Sequence, residues 1–555
     1  MQKFRVFPAA SSQQGGGWIR KNSRKLIISR AKRSIPIFSL LFPVLPTIRS
    51  DAPARRLFHG PDQPPSSRPV YRKRREGNSP VGKASPKRAE QIRRGGFVLT
   101  SLNPCAGTPY AATRMHSPEG AVLPLPAAIP VWNFAFPPGM RYNGRDIPPQ
   151  QTWKGGAVML VDPKSIRHYR LCAHHLDKKI PPESILEAAG ACGLQNSPPG
   201  AWETALFNRL EGYPLQELRE SLYARKILLQ AWSYRGVPVV FPTEESSVFL
   251  SSLIARQGEE PWIYTRGITA ALDFLGMPLD ALLPLVRKAA AALDNQVVKS
   301  KESLDRMLAE IVRRDLPPEK KALWDAPSLY GSPDRQTMGG AVVSFLLRPC
   351  SFYSLVVFGE RQADSPTFTS FRNWTGHEPV WRPEAEKALV RKFLHCYGPA
   401  TRSSFVNWLG ASPRQAARLW DGVAEEMEPI QTASGTGYIL SADRERLLSA
   451  PGCGERLILL GAHDPYLDMR DRDVILDQRP LHKSVWKTVA NPGVILRDGR
   501  IVGIWKAKTL TENMEISITL WESLSAAEQR RLADLAEEYA AFRLLSLRKC
   551  AVESP

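Results

Sequence analysis

The chain has 555 residues, 43% hydrophobic and 23% charged, with a formal net charge of +21. That length is too great for one hydrophobic core, so about three or four domains are expected, and the composition fits a soluble globular protein. The basic excess is local: residues 1–150 hold 25 Lys and Arg against 6 Asp and Glu, while the remaining 405 hold 50 against 48. Overall basicity is therefore no argument that the folded part binds nucleic acid. The seven cysteines are scattered and contain no Cys-x-x-Cys. This excludes a disulfide framework and a zinc ribbon, and predicts reduced thiols in the cytoplasm.

Residues 1–150 also contain 21 of the 48 prolines. Stretches such as RPVYRKRREGNSPVGKASPKR cannot bury enough apolar area to offset chain entropy, so this tail is expected to be disordered. The apolar run Ile35–Ile48 is broken by Pro36, Pro43 and Pro46 and is too short to span a bilayer. Three accounts of the tail compete. It is a nucleic-acid-binding tail, a targeting segment, or an upstream extension ahead of a true start at Met140 or Met159. The third is preferred.

From about Val161 helical periodicity sets in, through SIRHYRLCAHHLDKK, ESILEAAGACG and GAWETALFNRL. LQELRESLYARKILLQAWSYRG reads as one more helix ending in a turn, and VPVVFP as a strand. Helices followed by a strand over residues 160–265 give the order of a winged helix. Residues 266–376 carry helices around LDALLPLVRKAAAAL and SLDRMLAEIVRRD and a strand in FYSLVVFGE, a second α+β unit. Residues 380–448 form the clearest unit. EAEKALVRKFLHCYG is amphipathic, PATRSSFVNWLG is a short helix from Thr401 to Gly410, and SPRQAARLWDGVAEEM starts with Ser412 as N-cap and Pro413 at the first helical position. EPIQTASGTGYILS then supplies a two-stranded wing. Residues 455–547 read as a small antiparallel β-domain with an Asp498-Gly499 hairpin turn and a terminal helix opened by the capping box Ser525-x-x-Glu528. The fold class expected is α+β, tandem winged helix-turn-helix units followed by that β-domain.

Several pieces together resemble one family: GLQNSPPGAWETALFNRLEGY, YRG at Tyr234–Gly236, YGPATRSSFVNWLG, LLGAHDPYLDMRDRD and VILRDGRIVGIW. In order and spacing, over roughly residues 160–545, they are similar to the bacterial winged-helix DNA-binding proteins that include the AlkZ-type DNA glycosylases. That resemblance implies three tandem winged helices and a β-domain around double-stranded DNA, and excision of alkylated purines or unhooking of interstrand crosslinks. Active members carry Gln-x-Gln or Gln-x-Asp where this chain has Gln195-Asn196-Ser197, and many carry a histidine at a position corresponding to about Val239.

The residues support a specific chemistry at this motif. An N7-alkylated purine is already cationic and departs as a neutral base, so the site must mainly hold a water against an oxocarbenium-like sugar. A neutral amide can orient that water through its donors and acceptor. In extended backbone Gln195 and Ser197 share a face and Asn196 points away. Gln195 and Ser197 are therefore the candidate catalytic residues. Read without the resemblance, Gln195 is an ordinary helix-end residue bonding backbone amides. Arg209 and Arg235 in the first unit, and Arg414, Gln415 and Arg418 on the third unit's helix, are candidate DNA contacts. Surface salt bridges and a solvated helix face are the competing accounts. Trp232, Trp408, Trp420 and Trp505 read as core aromatics.

No metal site is expected. Cys172, His174, His175 and Cys192 lack zinc-ligand spacing, and Asp464, Asp468, Asp471 and Asp473 lack the order of a calcium loop. The expectation is a monofunctional glycosylase without metal or small-molecule cofactor, a cytoplasmic monomer acting on duplex DNA with no membrane association. Two alternatives stay open: a non-enzymatic, regulatory DNA-binding protein, and a helical interaction module.

Overall fold

The computed structural model describes residues 160–555 apart from 260–261, 331–333, 364, 450–455 and 488–489. The expected disordered tail and the starts at Met140 and Met159 lie outside the described residues. What is described is a mixed α+β structure with many helices and four small sheets, three of three strands and one of five.

One order of elements occurs three times: helix, short strand, two helices, hairpin. The first copy has helix Ile185–Gly190, strand Leu194–Gln195, helices Ala201–Phe207 and Leu215–Tyr223, and strands Leu228–Trp232 and Pro238–Pro242. The short strand pairs with the last strand, so the last strand is central. The second copy repeats this with helix Leu279–Ala290, strand Val298–Lys299, helices Lys301–Asp315 and Met338–Phe352, and strands Val357–Gln362 and Ser365–Thr369. One further helix, Pro318–Asp325, is inserted. In the third copy, helices Ala385–Tyr397, Arg402–Leu409 and Pro413–Asp421 precede the hairpin Met427–Thr432 and Gly435–Leu440, and the short strand shrinks to a bridge between Ala400 and Tyr438.

Local chemistry sets the boundaries. The Thr401 hydroxyl accepts from the Ser404 amide at 3.1 Å, and Gly410 ends that helix at a φ of 70°, where a side chain would be strained. Ser412 caps the next helix with Pro413 in its first turn. The Ser525–Glu528 capping box opens helix Ala526–Phe542. Asp498 and Gly499 both have positive φ, as a two-residue hairpin turn matching strand twist requires.

The structure departs from the sequence reading in three places. First, the helix expected to continue to the YRG turn stops at Tyr223, and Leu228–Trp232 is a strand with every residue buried. Leu228, Leu229 and Trp232 each belong to a different core, so the segment shows no alternation and cannot be told from buried helix by period. Second, Leu160–Val161 pairs in parallel with Met427–Thr432. The helix behind it, Pro163–Ala173, places Ile166, Tyr169 and Leu171 in one core with Ile430, Ile439 and Leu447, and with Ile458, Leu460 and Val494 of the C-terminal sheet. The start of the first expected unit thus packs with the third. Third, the C-terminal sheet gains a parallel edge strand, Ser546–Glu553, beyond the expected end at 547. Its exposed Arg548, Lys549 and Glu553 hide the alternation that marks a strand.

Trp232, Trp408, Trp420 and Trp505 are all buried.

Candidate functional site

The Gln-Asn-Ser segment lies where the short strand of the first copy turns into helix Ala201–Phe207. Gly193 precedes it with a φ of 76°, and a Cβ there would meet Val239 Cγ1 at 2.7 Å, so only glycine fits. Strand pairing sets Gln195 opposite Val239. The Asn196 side chain turns away. It donates to Gln230 Oε1 at 3.0 Å and accepts from the Gly200 amide at 2.7 Å, fixing the entry to the helix. Ser197 is exposed.

Gln195 is largely but not wholly buried, 8% exposed. Its Nε2 donates to the Ser197 carbonyl at 3.2 Å, and its Oε1 accepts from Arg235 Nη2 at 3.3 Å. A carbonyl only accepts and a guanidinium only donates, so these two neighbours fix which end of the amide is which. One N–H and one oxygen lone pair remain.

Arg235 is the pivot. It sits in the YRG turn at a φ of 56°, a strained conformation for a long side chain. Its Nη2 pairs with Asp468 at 2.8 Å, its Nη1 donates to the Trp408 carbonyl at 3.3 Å, and its guanidinium lies 4.9 Å from the centre of the Tyr234 ring. Burial raises the Asp468 carboxyl above its ordinary range, against the pull of Arg235 and His463. Burial also lowers His463, and Arg235 adds to that lowering while Asp468 opposes it. Gln195, Arg235, Asp468 and His463 thus form one polar group contributed by two distant stretches of chain.

The loop carrying Asp468 is stitched by arginines. Asp464 takes Arg209 through two bonds, at 2.8 and 2.9 Å; Asp468 takes Arg235; Asp471 takes Arg170 at 2.7 Å; Asp473 takes Arg479 at 2.7 Å. Four carboxylates bound to four guanidiniums explain the acidic run without calcium. The same stretch of chain lines a cavity. Arg470, Arg472, Asp473, Arg479 and His482 line a cavity of about 290 Å3. Arg470 is lowered by burial and by Arg235, and Arg472 by burial and by Arg470. Partly buried arginines on the wall of a cavity suit an anionic ligand.

The predicted DNA contacts fare unevenly. Arg209 is 1% exposed and locked to Asp464 and the Ala205 carbonyl, so no phosphate reaches it. Gln415 is 1% exposed and donates to the Leu253 carbonyl at 2.9 Å, which removes it from base readout. Arg418 is held by Glu259 and Glu386. The helix bearing these last two packs on the segment around residues 253–259. Arg414 is exposed, with one bond to the Gly258 carbonyl at 3.3 Å. Arg235 faces the site, directed to Asp468 and Gln195. Sequence reasoning missed Asp468, His463 and the Arg470–Arg479 cavity. The signals were the density of Asp and Arg in one loop and that loop's place in the LLGAHDPYLDMRDRD piece of the family resemblance.

A family model described as DNA glycosylase AlkZ-like matches residues 188–542. An interstrand DNA cross-link repair glycosylase of Streptomyces sahachiroi is 24% identical over 355 residues, covering 61% of this chain and 86% of the relative. The solved structure of the Streptomyces sahachiroi DNA glycosylase AlkZ is similar with a TM-score of 0.55 at 19% identity, over 72% of this chain and 100% of that one. At such identity the likeness is one of fold.

Proposed function

The chain belongs to the AlkZ-like DNA glycosylase family, and on that premise we propose that it hydrolyses the N-glycosidic bond of alkylated purines, or of purines tied into interstrand crosslinks, in double-stranded DNA. The three repeated units are read as winged helices that face the duplex, with the chain acting as a cytoplasmic monomer. The cavity formed by Arg470, Arg472 and Arg479 is assigned to a backbone phosphate.

The observation that carries this reading is the amide of Gln195, oriented by Arg235 and the Ser197 carbonyl with one donor and one acceptor left over. Those two valences suffice to hold one water. Ser197, exposed two residues on, is proposed to give that water one of its remaining hydrogen bonds through its hydroxyl. The water oxygen forms its bond to C1′ as the C1′–N bond breaks. The bonding pair leaves with the cationic purine, which departs neutral; the water's proton passes to solvent, and an abasic site remains. Asp468 acts through Arg235. It keeps the guanidinium aimed at the amide oxygen and gives the site a carboxylate that Ser197 cannot supply.

The test is base release from duplex DNA containing N7-methylguanine or a nitrogen-mustard crosslink. Wild type should generate abasic sites, and Gln195→Ala should lose about 100-fold or more of the rate. Equal release by both proteins removes Gln195 from the mechanism. No release by wild type favours the second reading, a DNA-binding protein without glycosylase activity, which the Gln-Asn-Ser sequence itself motivates.

A further inference from the structure

A second cluster lies outside the polar site, and the glycosylase chemistry makes no use of it. His174 caps the C-terminus of helix Pro163–Ala173, Cys192 sits in the turn before strand Leu194–Gln195, and Cys396 lies in the last turn of helix Ala385–Tyr397. Their exposures are 1%, 2% and 0%. The three side chains bring one ligand atom each to within 4.8 Å of one another.

The geometry is that of a ligand set. A zinc ion with Zn–S of about 2.3 Å and Zn–N of about 2.0–2.1 Å in tetrahedral array holds its ligand atoms about 3.5–3.8 Å apart. Cys192 Sγ lies 3.8 Å from His174 Nδ1, and the Tyr397 hydroxyl lies 3.7 Å from the same sulfur. His174 Nε2 is buried without a hydrogen-bond partner and stands edge-on to the rings of Tyr397 and Tyr466. With the proton on Nε2, the Nδ1 lone pair faces Cys192 Sγ. As a thiol, Cys396 lies 3.4 Å from the Ala191 carbonyl and 3.8 Å from the Ala173 carbonyl, contacts it would exchange for the ion on losing its proton. Two sulfurs and one nitrogen select a soft or borderline ion over magnesium or calcium.

We propose that His174, Cys192 and Cys396 bind a structural zinc ion that clamps the first helix, the Gln195 strand and the third copy's first helix together. Binding forms two Zn–S bonds and one Zn–N bond, and the two thiol protons leave to solvent. Cys192 is three residues from Gln195, so the ion anchors the strand that presents the amide. Separations of 18 and 204 residues among the ligands leave no local motif in the sequence.

The test reads metal rather than base release, so its failure is separable from that of the glycosylase reading. Full-length protein produced in zinc-supplemented medium and passed over a desalting column should carry about one zinc per chain by mass spectrometry. Cys396→Ala should fall to near zero, while Cys172→Ser should keep its ion. Cobalt exchanged into wild type should give a thiolate-to-cobalt charge-transfer band, which requires no variant to fold. Wild type that neither contains zinc nor takes up cobalt with that band overturns the proposal. So does recovery of a Cys192–Cys396 disulfide in protein isolated without reductant.

Discussion

Arg209 and Arg235 make the same kind of bond to the same loop, four residues apart, and the two pairs do different things. Arg209–Asp464 is sealed, with both side chains 1% exposed and the carboxylate gripped at both oxygens. Arg235–Asp468 is 21% and 15% exposed and reaches onward to Gln195. The sealed pair joins the turn after helix Ala201–Phe207 to the loop that follows strand Leu457–Leu460. The open pair extends the loop's charge to a side chain with valences to spare. Ion-pair chemistry alone does not make a site. What distinguishes the two is whether one partner still has a neighbour that solvent or substrate can reach.

Breaking each pair should separate these roles. Arg209→Met leaves Asp464 buried without a countercharge and should cost about 3–5 kcal/mol of stability, read from urea unfolding. A smaller loss, below about 1 kcal/mol, would mean that the interior rehydrates and the pair is not sealed. Asp468→Asn should do the reverse. The side chain keeps its shape and a polar contact to Arg235, so the unfolding midpoint should move little while base release falls about 100-fold. Arg470→Ala should act chiefly on DNA affinity, lowering the slope of log K against log salt by about 1. An unchanged slope would place the phosphate path elsewhere.

The smallest effect expected is on pH dependence. Burial holds the folded-state pKa of His463 below the unfolded value of about 6.5. The group therefore favours the folded state above that pH, and its contribution is lost as pH falls through the depressed folded-state value. His463→Gln should flatten the acid side of the stability profile below about pH 6.5 relative to wild type.

Much of the architecture was legible in the sequence, because caps and periodicity are local. Thr401, Gly410, Ser412, Pro413 and the Ser525–Glu528 box mark element ends within a few residues of where the chain turns. The Gln195 motif stood out only through the family resemblance, since its local setting alone reads as an ordinary helix end. The partners were not. Arg209 and Asp464 are 255 residues apart, Arg235 and Asp468 are 233 apart, and no periodicity links an arginine to a carboxylate at that range. Gln415 misled for the same reason. Its helix has the composition of a DNA-reading helix, and only the segment around residues 253–259 reveals that its polar face is covered.

The parallel pairing of Leu160–Val161 with Met427–Thr432 bears on how this protein can be shortened. A fragment beginning at residue 188, where the family match starts, would strip that partner and bare the backbone groups of the third hairpin's edge at Gln431 and Thr432. Such a truncation should self-associate through that rim, read as a concentration-dependent rise in sedimentation coefficient that the chain beginning at Leu160 does not show.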